Sequence, residues 1–320
     1  MRKWRVAVLM GGPSAEHDVS LSTGKMITEA LDRARYDVKP VLISRAGEWQ
    51  ISPEDLKEKF DIAFIAMHGE YGEDGEVQGI LERVGLPYTG SGVLPSALAM
   101  NKVLSSRLFR AHGMNVPDFV AAGKHDDLNR LRLPFELPVV AKPIDRGSSV
   151  GVSIVRKETE IAPALERAFK FSRNAMIQRY IQGREINCAV IDDGKGSMEV
   201  LPVTEIIPKT SNFFDYYAKY TPKASEEITP ARLSEEETHA VQDAAKRAHE
   251  IIGASGMSCT NFILSPDGAL YILELNSIPG MTPTSLLPQA ALAHGLTFPE
   301  LLDRIISAAF VRYGIARRGN

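Results

Sequence analysis

The sequence predicts an α/β domain with a parallel sheet at its amino end, followed by an α+β region, and three observations predict it. Arg5–Met10, a helical stretch over Ser20–Leu31 and Val38–Ile43 form a strand–helix–strand unit, the grammar of a parallel sheet. Leu137–Lys142 and Val150–Val155 read as strands joined by a short loop with no crossover helix. Asn261–Leu264 and Ala269–Leu275 flank Ser265-Pro266-Asp267-Gly268, a turn-forming tetrad, and together read as a β-hairpin.

A chain of 320 residues has room for two or three cored domains. We place them at 1–96, 97–184 and 185–320. Hydrophobic residues at 44% and charged residues at 24% are ordinary for a globular protein. A net charge of −3 gives no reason to expect nucleic acid or a membrane surface as partner. Cys188 and Cys259 form no C-x-x-C pair, which favours a reducing compartment. The basic, then apolar start resembles a signal peptide, but its apolar run is too short and charge resumes at Glu16. No run reaches the roughly 20 apolar residues that span a bilayer, so a cytoplasmic location is expected.

The first strand runs into Gly11-Gly12-Pro13-Ser14-Ala15-Glu16, a loop at a strand's carboxyl end, where ligands gather in parallel sheets. It lacks the G-x-G-x-x-G spacing of a dinucleotide site. Ile62–Met67 is a third strand, and it ends in the polar loop His68–Gly75. Pro87–Gly92 closes this domain, and a helix over Pro95–Arg110 carries Lys102 near its middle.

Between the next two strands lies Pro143-Ile144-Asp145-Arg146-Gly147-Ser148-Ser149. Its glycine and hydroxyls provide the backbone freedom and donors of a flexible phosphate cover, with Lys142 placed to meet phosphate oxygens. A helix near Glu158–Phe171 precedes Met176–Ile181, a strand suited to hydrogen-bonding an adenine edge. Glu185, at the start of another strand, could accept ribose hydroxyls. Glu199–Ile207 is one more strand. Pro208–Pro230 is long, aromatic and without a period, as a lid would be. Ser234-Glu235-Glu236-Glu237 is a capping box for a helix to about Ile252.

In the hairpin, pairing Leu264 with Ala269 places Cys259 opposite Glu274 and Asn261 diagonal to it. Glu274 and Asn276 then share a face, while Tyr271, Leu273 and Leu275 take the other. A carboxylate with amide oxygens suits a hard cation such as magnesium. Ser277–Pro283 follows as a rigid turn, and two helices, Ser285–His294 and Phe298–Tyr313, finish the chain.

Taken together, a lysine with a Gly/Ser cover, an adenine-type strand and an acidic hairpin resemble the two-subdomain ATP-grasp fold. GGPSAEHDVSL, HGEYGEDGEVQG, PYTGSG, KPIDRGSSVG, FFDYYAKY and ELNSIPGMTPTSL extend the resemblance to the D-alanine–D-alanine ligase family over nearly the whole chain. The resemblance implies ATP-dependent joining of two D-alanines through an acyl phosphate, for peptidoglycan precursor synthesis. It implies ATP and D-alanine as substrates, magnesium or manganese as cofactor, and a homodimer, as related ligases commonly are.

By position, Glu16 matches the contact to the first D-alanine's ammonium, and His68 a residue near it. Ser148 and Tyr220 match partners of Glu16 in a hydrogen-bonded triad. Lys102 and Lys142 match phosphate contacts, and Ser149, Gln178, Arg179, Tyr180, Ile181 and Glu185 fall in the nucleotide site. Asn261, Glu274 and Asn276 match magnesium ligands, Gly280 an oxyanion-hole amide, and Ser285 the contact to the second substrate's carboxylate. The stretch 208–230 matches the lid.

The pattern departs from the family at Cys259, where the family usually has Arg, and at Asn261, where it has Asp. Gln178, Arg179 and Arg146 also differ from the usual residues. Two further readings therefore stand beside the first. One is a ligase with D-serine or D-lactate as acceptor, with Tyr220 arguing against lactate. The other is a nucleotide- or D-alanine-binding homologue whose turnover is weakened or lost.

Overall fold

A computed structural model describes residues 2–128, 131–209, 224–282 and 284–316. Its amino-terminal sheet has the order β2-β1-β3, from Trp4–Gly11 (β1), Tyr36–Ile43 (β2) and Ile62–Ile65 (β3). Both pairings are parallel, as the strand–helix–strand reading requires. β1 is apolar almost throughout because both of its faces are covered. Helix α1, His17–Ala30, begins three residues earlier than the sequence suggests, immediately after Glu16. Two helices absent from the sequence reading follow: α2, Pro53–Lys59, capped by Ser52, and α3, Glu76–Val84, which starts and stops at left-handed Gly75 and Gly85.

The single helix expected over Pro95–Arg110 is two, α4 (Val93–Met100) and α5 (Lys102–Ala111). Asn101 breaks them by leaving helical geometry and accepting the Leu104 amide on its side chain, an N-cap inside an apolar run. Lys102 is therefore the first residue of a helix and not its middle. The second sheet has the order β4-β7-β5-β6, from Phe119–Gly123 (β4), Val139–Pro143 (β5), Ser153–Val155 (β6) and Asn174–Arg179 (β7), all antiparallel. Helix α6, Ile161–Ala168, packs against it over Val139, Ala141, Leu165 and Ile177.

The third sheet has the order β11-β10-β8-β12-β13, with β9 attached to β8. It comprises Arg184–Asp192 (β8), Met198–Val200 (β9), Thr204–Pro208 (β10), Ser225–Ile228 (β11), Met257–Leu264 (β12) and Leu270–Asn276 (β13). The expected strand Glu199–Ile207 is split, since Pro202 cannot donate to a ladder. Ser225–Ile228 pairs with β10, so part of the expected lid is a strand. Helix α7, Glu235–Ile252, has the predicted capping box at Ser234. Helices α8 (Leu286–Ala293) and α9 (Phe298–Arg312) complete the chain.

One apolar core unites the first sheet with a face of the third. Leu9, Phe64 and Met67 share it with Ala189, Cys259, Ile278, Leu287 and Phe310. The Trp4 and Phe310 rings lie 4.5 Å apart, and Tyr36 donates to Asp303 at 2.5 Å, so α9 clamps the amino-terminal sheet. That packing brings the carboxyl ends of β1 and β3 to the turn after β13. No described helix is long and apolar enough to cross a membrane.

Candidate functional site

Two cavities meet at the hairpin of β12 and β13. The first, about 140 Å³, is lined by Glu16, His68, Ser148, Asn276, Gly280 and Ser285 among others. The second, about 130 Å³, is lined by Lys142, Ser149, Gln178, Tyr180, Ile181 and Glu185 among others. Lys102, Asn261 and Glu274 line both.

Glu16 reaches the first cavity because β1 ends in Gly11 and Gly12, both with positive φ, which turn the chain sharply into α1. Its amide donates to Ser14 Oγ at 2.8 Å, and its carboxylate accepts from the Ser148 hydroxyl. Glu16 is 7% exposed, and a Cβ on Gly147 would lie 2.5 Å from Glu16 Oε2. A side chain there would push the Glu16 carboxylate aside. Ser148 and Ser149 both have positive φ, an arrangement that costs energy in non-glycine residues.

His68, three residues beyond the end of β3, is buried. Its Nε2 lies 2.8 Å from Thr23 Oγ1, and its Nδ1 lies 3.2 Å from the Ile278 carbonyl and 3.5 Å from Glu73 Oε1. Burial disfavours the imidazolium, but the hydrogen bond to Glu73 and the charges of Glu73 and Glu16 raise His68 above its ordinary value. Burial likewise raises the Glu73 carboxyl, against the pull of His68. This histidine joins the first domain to the turn after β13 across 210 positions. Ser285 stands at the N-cap position of α8, but its Oγ turns away from the helix and accepts from the Thr282 amide at 3.0 Å. A Cβ on Gly280 would come within 2.6 Å of that Oγ.

In the second cavity, Lys142 Nζ donates to Gln178 Oε1 at 2.9 Å, while Gln178 Nε2 is buried without a partner among the described residues. The Arg179 and Tyr180 amides are bonded to the Asp118 and Pro138 carbonyls. β7 ends at Arg179, earlier than the expected strand to Ile181. Lys102 Nζ lies 3.2 Å from Glu274 Oε2 and donates to the Arg146 carbonyl at 2.8 Å, tying the glycine loop to the hairpin.

The hairpin register differs from the expected one. Leu264 pairs with Leu270, and a bulge at Asn261/Phe262 absorbs one residue of β13. Asn261 therefore stands directly opposite Glu274 rather than diagonal to it, and Cys259 stands opposite Asn276. The bulge also brings Leu273 to the second cavity beside Glu274, where strict alternation would have turned it away.

Glu274, Asn276 and Asn261 offer carboxylate and amide groups, and no described cluster of three His, Cys, Asp or Glu exists that would suit a softer metal. That donor set fits magnesium or manganese, which take few protein ligands and complete their shell with water and phosphate oxygens. Cys259 is 4% exposed, and burial pushes its thiol up to about 12, so it brings no charge to the first cavity.

The structure thus brings all the described site residues predicted from sequence into these two cavities. Tyr220 and most of the stretch 208–230 lie outside the described residues. Sequence reasoning missed Glu73, Thr23 and Asn187. Glu73 sits in a loop with Glu70 and Asp74, and no spacing singles it out. Asn187 carries a signal only once its strand neighbours are known.

Comparison with known proteins agrees with this geometry. A family model described as "D-ala D-ala ligase C-terminus" matches residues 108–307, and "D-ala D-ala ligase N-terminus" matches 5–59 and 50–91. The chain is 44% identical over 308 residues to the D-alanine–D-alanine ligase of Geotalea uraniireducens, covering 96% of each chain. Among solved structures, the VanG D-Ala:D-Ser ligase of Enterococcus faecalis superposes with a TM-score of 0.85 at 31% identity, over 96% of this chain and 100% of that one. The D-alanine–D-alanine ligase of Bacillus anthracis complexed with ATP gives 0.81 at 34% identity, over 97% and 99%. With family models, a full-length relative and solved folds all agreeing, this chain belongs to the D-alanine–D-alanine ligase family.

Proposed function

We propose that this chain joins two D-alanines into D-alanyl-D-alanine with hydrolysis of ATP to ADP and phosphate, supplying a peptidoglycan precursor in the cytoplasm. One observation carries the reading: Lys102, Asn261 and Glu274 belong to both cavities. An amino acid held in the first cavity therefore meets the terminal phosphate of a nucleotide held in the second.

Roles follow from the chemistry of each group. Glu16, fixed by Ser148, suits the ammonium of the first D-alanine, with His68 beside it. Lys102 and Lys142 offset phosphate charge, and Ser149 covers it. Gln178, Arg179, Tyr180 and Ile181 line the base site, and Glu185 accepts from the ribose. Glu274 and Asn276, with Asn261 hydrogen-bonded beside them, would hold magnesium or manganese, which when bound supplies further charge neutralisation. Attack of the first carboxylate on the γ-phosphorus forms the acyl phosphate and releases ADP. The second D-alanine's amine then displaces phosphate, with the Gly280 amide facing the developing oxyanion and Ser285 facing the second carboxylate. Tyr220 and the lid 208–230 exclude water that would hydrolyse the acyl phosphate.

The three units 1–96, 97–184 and 185–320 divide this work into substrate, nucleotide and metal domains, and two copies of the chain form a homodimer. Likeness to the VanG D-Ala:D-Ser ligase favours one second reading, D-serine as acceptor. A mixture of D-alanine, D-serine and D-lactate with Mg-ATP separates them by product mass. D-alanyl-D-alanine as main product is expected, and D-alanyl-D-serine would replace that assignment.

A further inference from the structure

Three neighbouring strands at one end of the third sheet set three polar residues in one row. Asn187 on β8 pairs in register with Asn261 on β12, which pairs with Glu274 on β13. Asn187 Nδ2 donates to Asn261 Oδ1 at 2.6 Å, and Asn261 Nδ2 donates to Glu274 Oε1 at 3.2 Å. Lys102 Nζ approaches Glu274 Oε2 at 3.2 Å from the far side. Asn187 and Asn261 are 3% and 8% exposed, so neither amide can exchange these partners freely for water.

The row has a direction. With its oxygen taken by Asn187, Asn261 turns its N–H toward Glu274. The reverse orientation would set two oxygens 3.2 Å apart, across Asn261 and Glu274. An N–H is not a cation ligand, and it covers the edge of Glu274 Oε1 that a second cation would need for bridging. Oε2 has the Lys102 ammonium on its outer side. Two positive or partly positive groups already flank one carboxylate.

Resting on the proposed function, we infer that Asn187 is a positioning residue that holds the Asn261 amide as a donor to Glu274. The site then binds one divalent cation with the nucleotide, through Glu274 and Asn276. Asn261 acts on the metal by fixing its carboxylate ligand, as partners outside the coordination sphere do elsewhere.

The test counts Mn²⁺ by electron paramagnetic resonance on the full chain saturated with a non-hydrolysable ATP analogue. One bound Mn²⁺ per chain is expected, and two after Asn261→Asp. Asn187→Leu, checked for an unchanged melting temperature, should weaken Mn²⁺ binding by about 10- to 100-fold. Two Mn²⁺ on the wild-type chain, or undiminished affinity in folded Asn187→Leu, would overturn the inference. If Asn187→Leu does not fold, the wild-type count still decides. Failure of the analogue to bind at all would sink the ligase reading itself, and this inference with it.

Discussion

Ser148 donates its hydroxyl hydrogen to the Glu16 carboxylate, joining residues 132 positions apart. One closes the glycine-rich loop, and the other opens the first long helix. The proposed nucleotide cover and the proposed substrate-ammonium contact are thereby a single hydrogen-bonded unit, with Gly147, whose missing side chain leaves space for the Glu16 carboxylate, beside them.

Ser148→Ala should lower kcat/KM for D-alanine by about 10- to 100-fold, the worth of one hydrogen bond to a charged group. The melting temperature should stay within a degree or two, because a loop contact at a cavity stabilises the fold little. Gly147→Ala should lose at least as much. Combined with Glu16→Ala it should cost little more than Glu16→Ala alone, which a double-mutant cycle in steady-state kinetics checks.

Lys102→Met removes the cation common to both cavities and frees the Arg146 carbonyl. A fall in kcat of about 100-fold or more is expected, with ATP binding weakened and the KM for D-alanine changed less. Initial rates against each substrate separate the two effects.

Much of this site was legible because its chemistry lies in short unbroken strings. Glu16, Ser148, Glu274 and Ser285 each sit in a loop or strand end marked by glycines or alternating polarity. What escaped depends on pairing between distant strands. The bulge at Asn261/Phe262 has no local signature, since Leu273 is an ordinary strand residue, yet it sets Asn261 squarely opposite Glu274. Asn187 gains meaning only from its register with Asn261. The break at Asn101 hid because Met100-Asn101-Lys102 contains neither proline nor glycine, and a side-chain cap ended one helix and began the next. The Pro202 break was there to be read, whereas β11 hid behind Glu226 and Glu227, polar residues at a sheet edge.

Away from the site, Asp192 accepts from the Gly194 amide at 2.7 Å, from the Gly256 amide, and lies 3.2 Å from His249 Nε2. His249 in turn lies 2.8 Å from Ser258 Oγ, and this buried Ser–His–Asp row opens to neither cavity of the candidate site. Burial would raise Asp192, but those hydrogen bonds win and hold its carboxyl below the usual value. Its stabilisation is therefore present above the unfolded value of 3.8 and lost as pH falls through the folded one. Asp192→Asn should cost about 1.5–3 kcal/mol in urea unfolding at neutral pH with both KM values unchanged.

Burial raises both cysteine thiols, Cys259 to about 12, from an ordinary value of 9.0. In the unfolded chain they ionise first, so the stability tied to neutral thiols is full below pH 9.0 and is lost as pH rises toward 12. The urea midpoint of the wild type should fall more steeply between pH 8.5 and 10.5, roughly, than that of Cys188→Ala/Cys259→Ala.

In the proposed reaction the two cavities pass a phosphoryl group from ATP to D-alanine despite Cys259 and Asn261. Phosphate release from Mg-ATP, measured with D-alanine and with L-alanine as control, tests it most directly. Release dependent on D-alanine alone is expected, one phosphate for each D-alanyl-D-alanine identified by mass. ATP binding with no D-alanine-dependent release would contradict it, and Cys259→Arg/Asn261→Asp would then show whether those two positions are the reason.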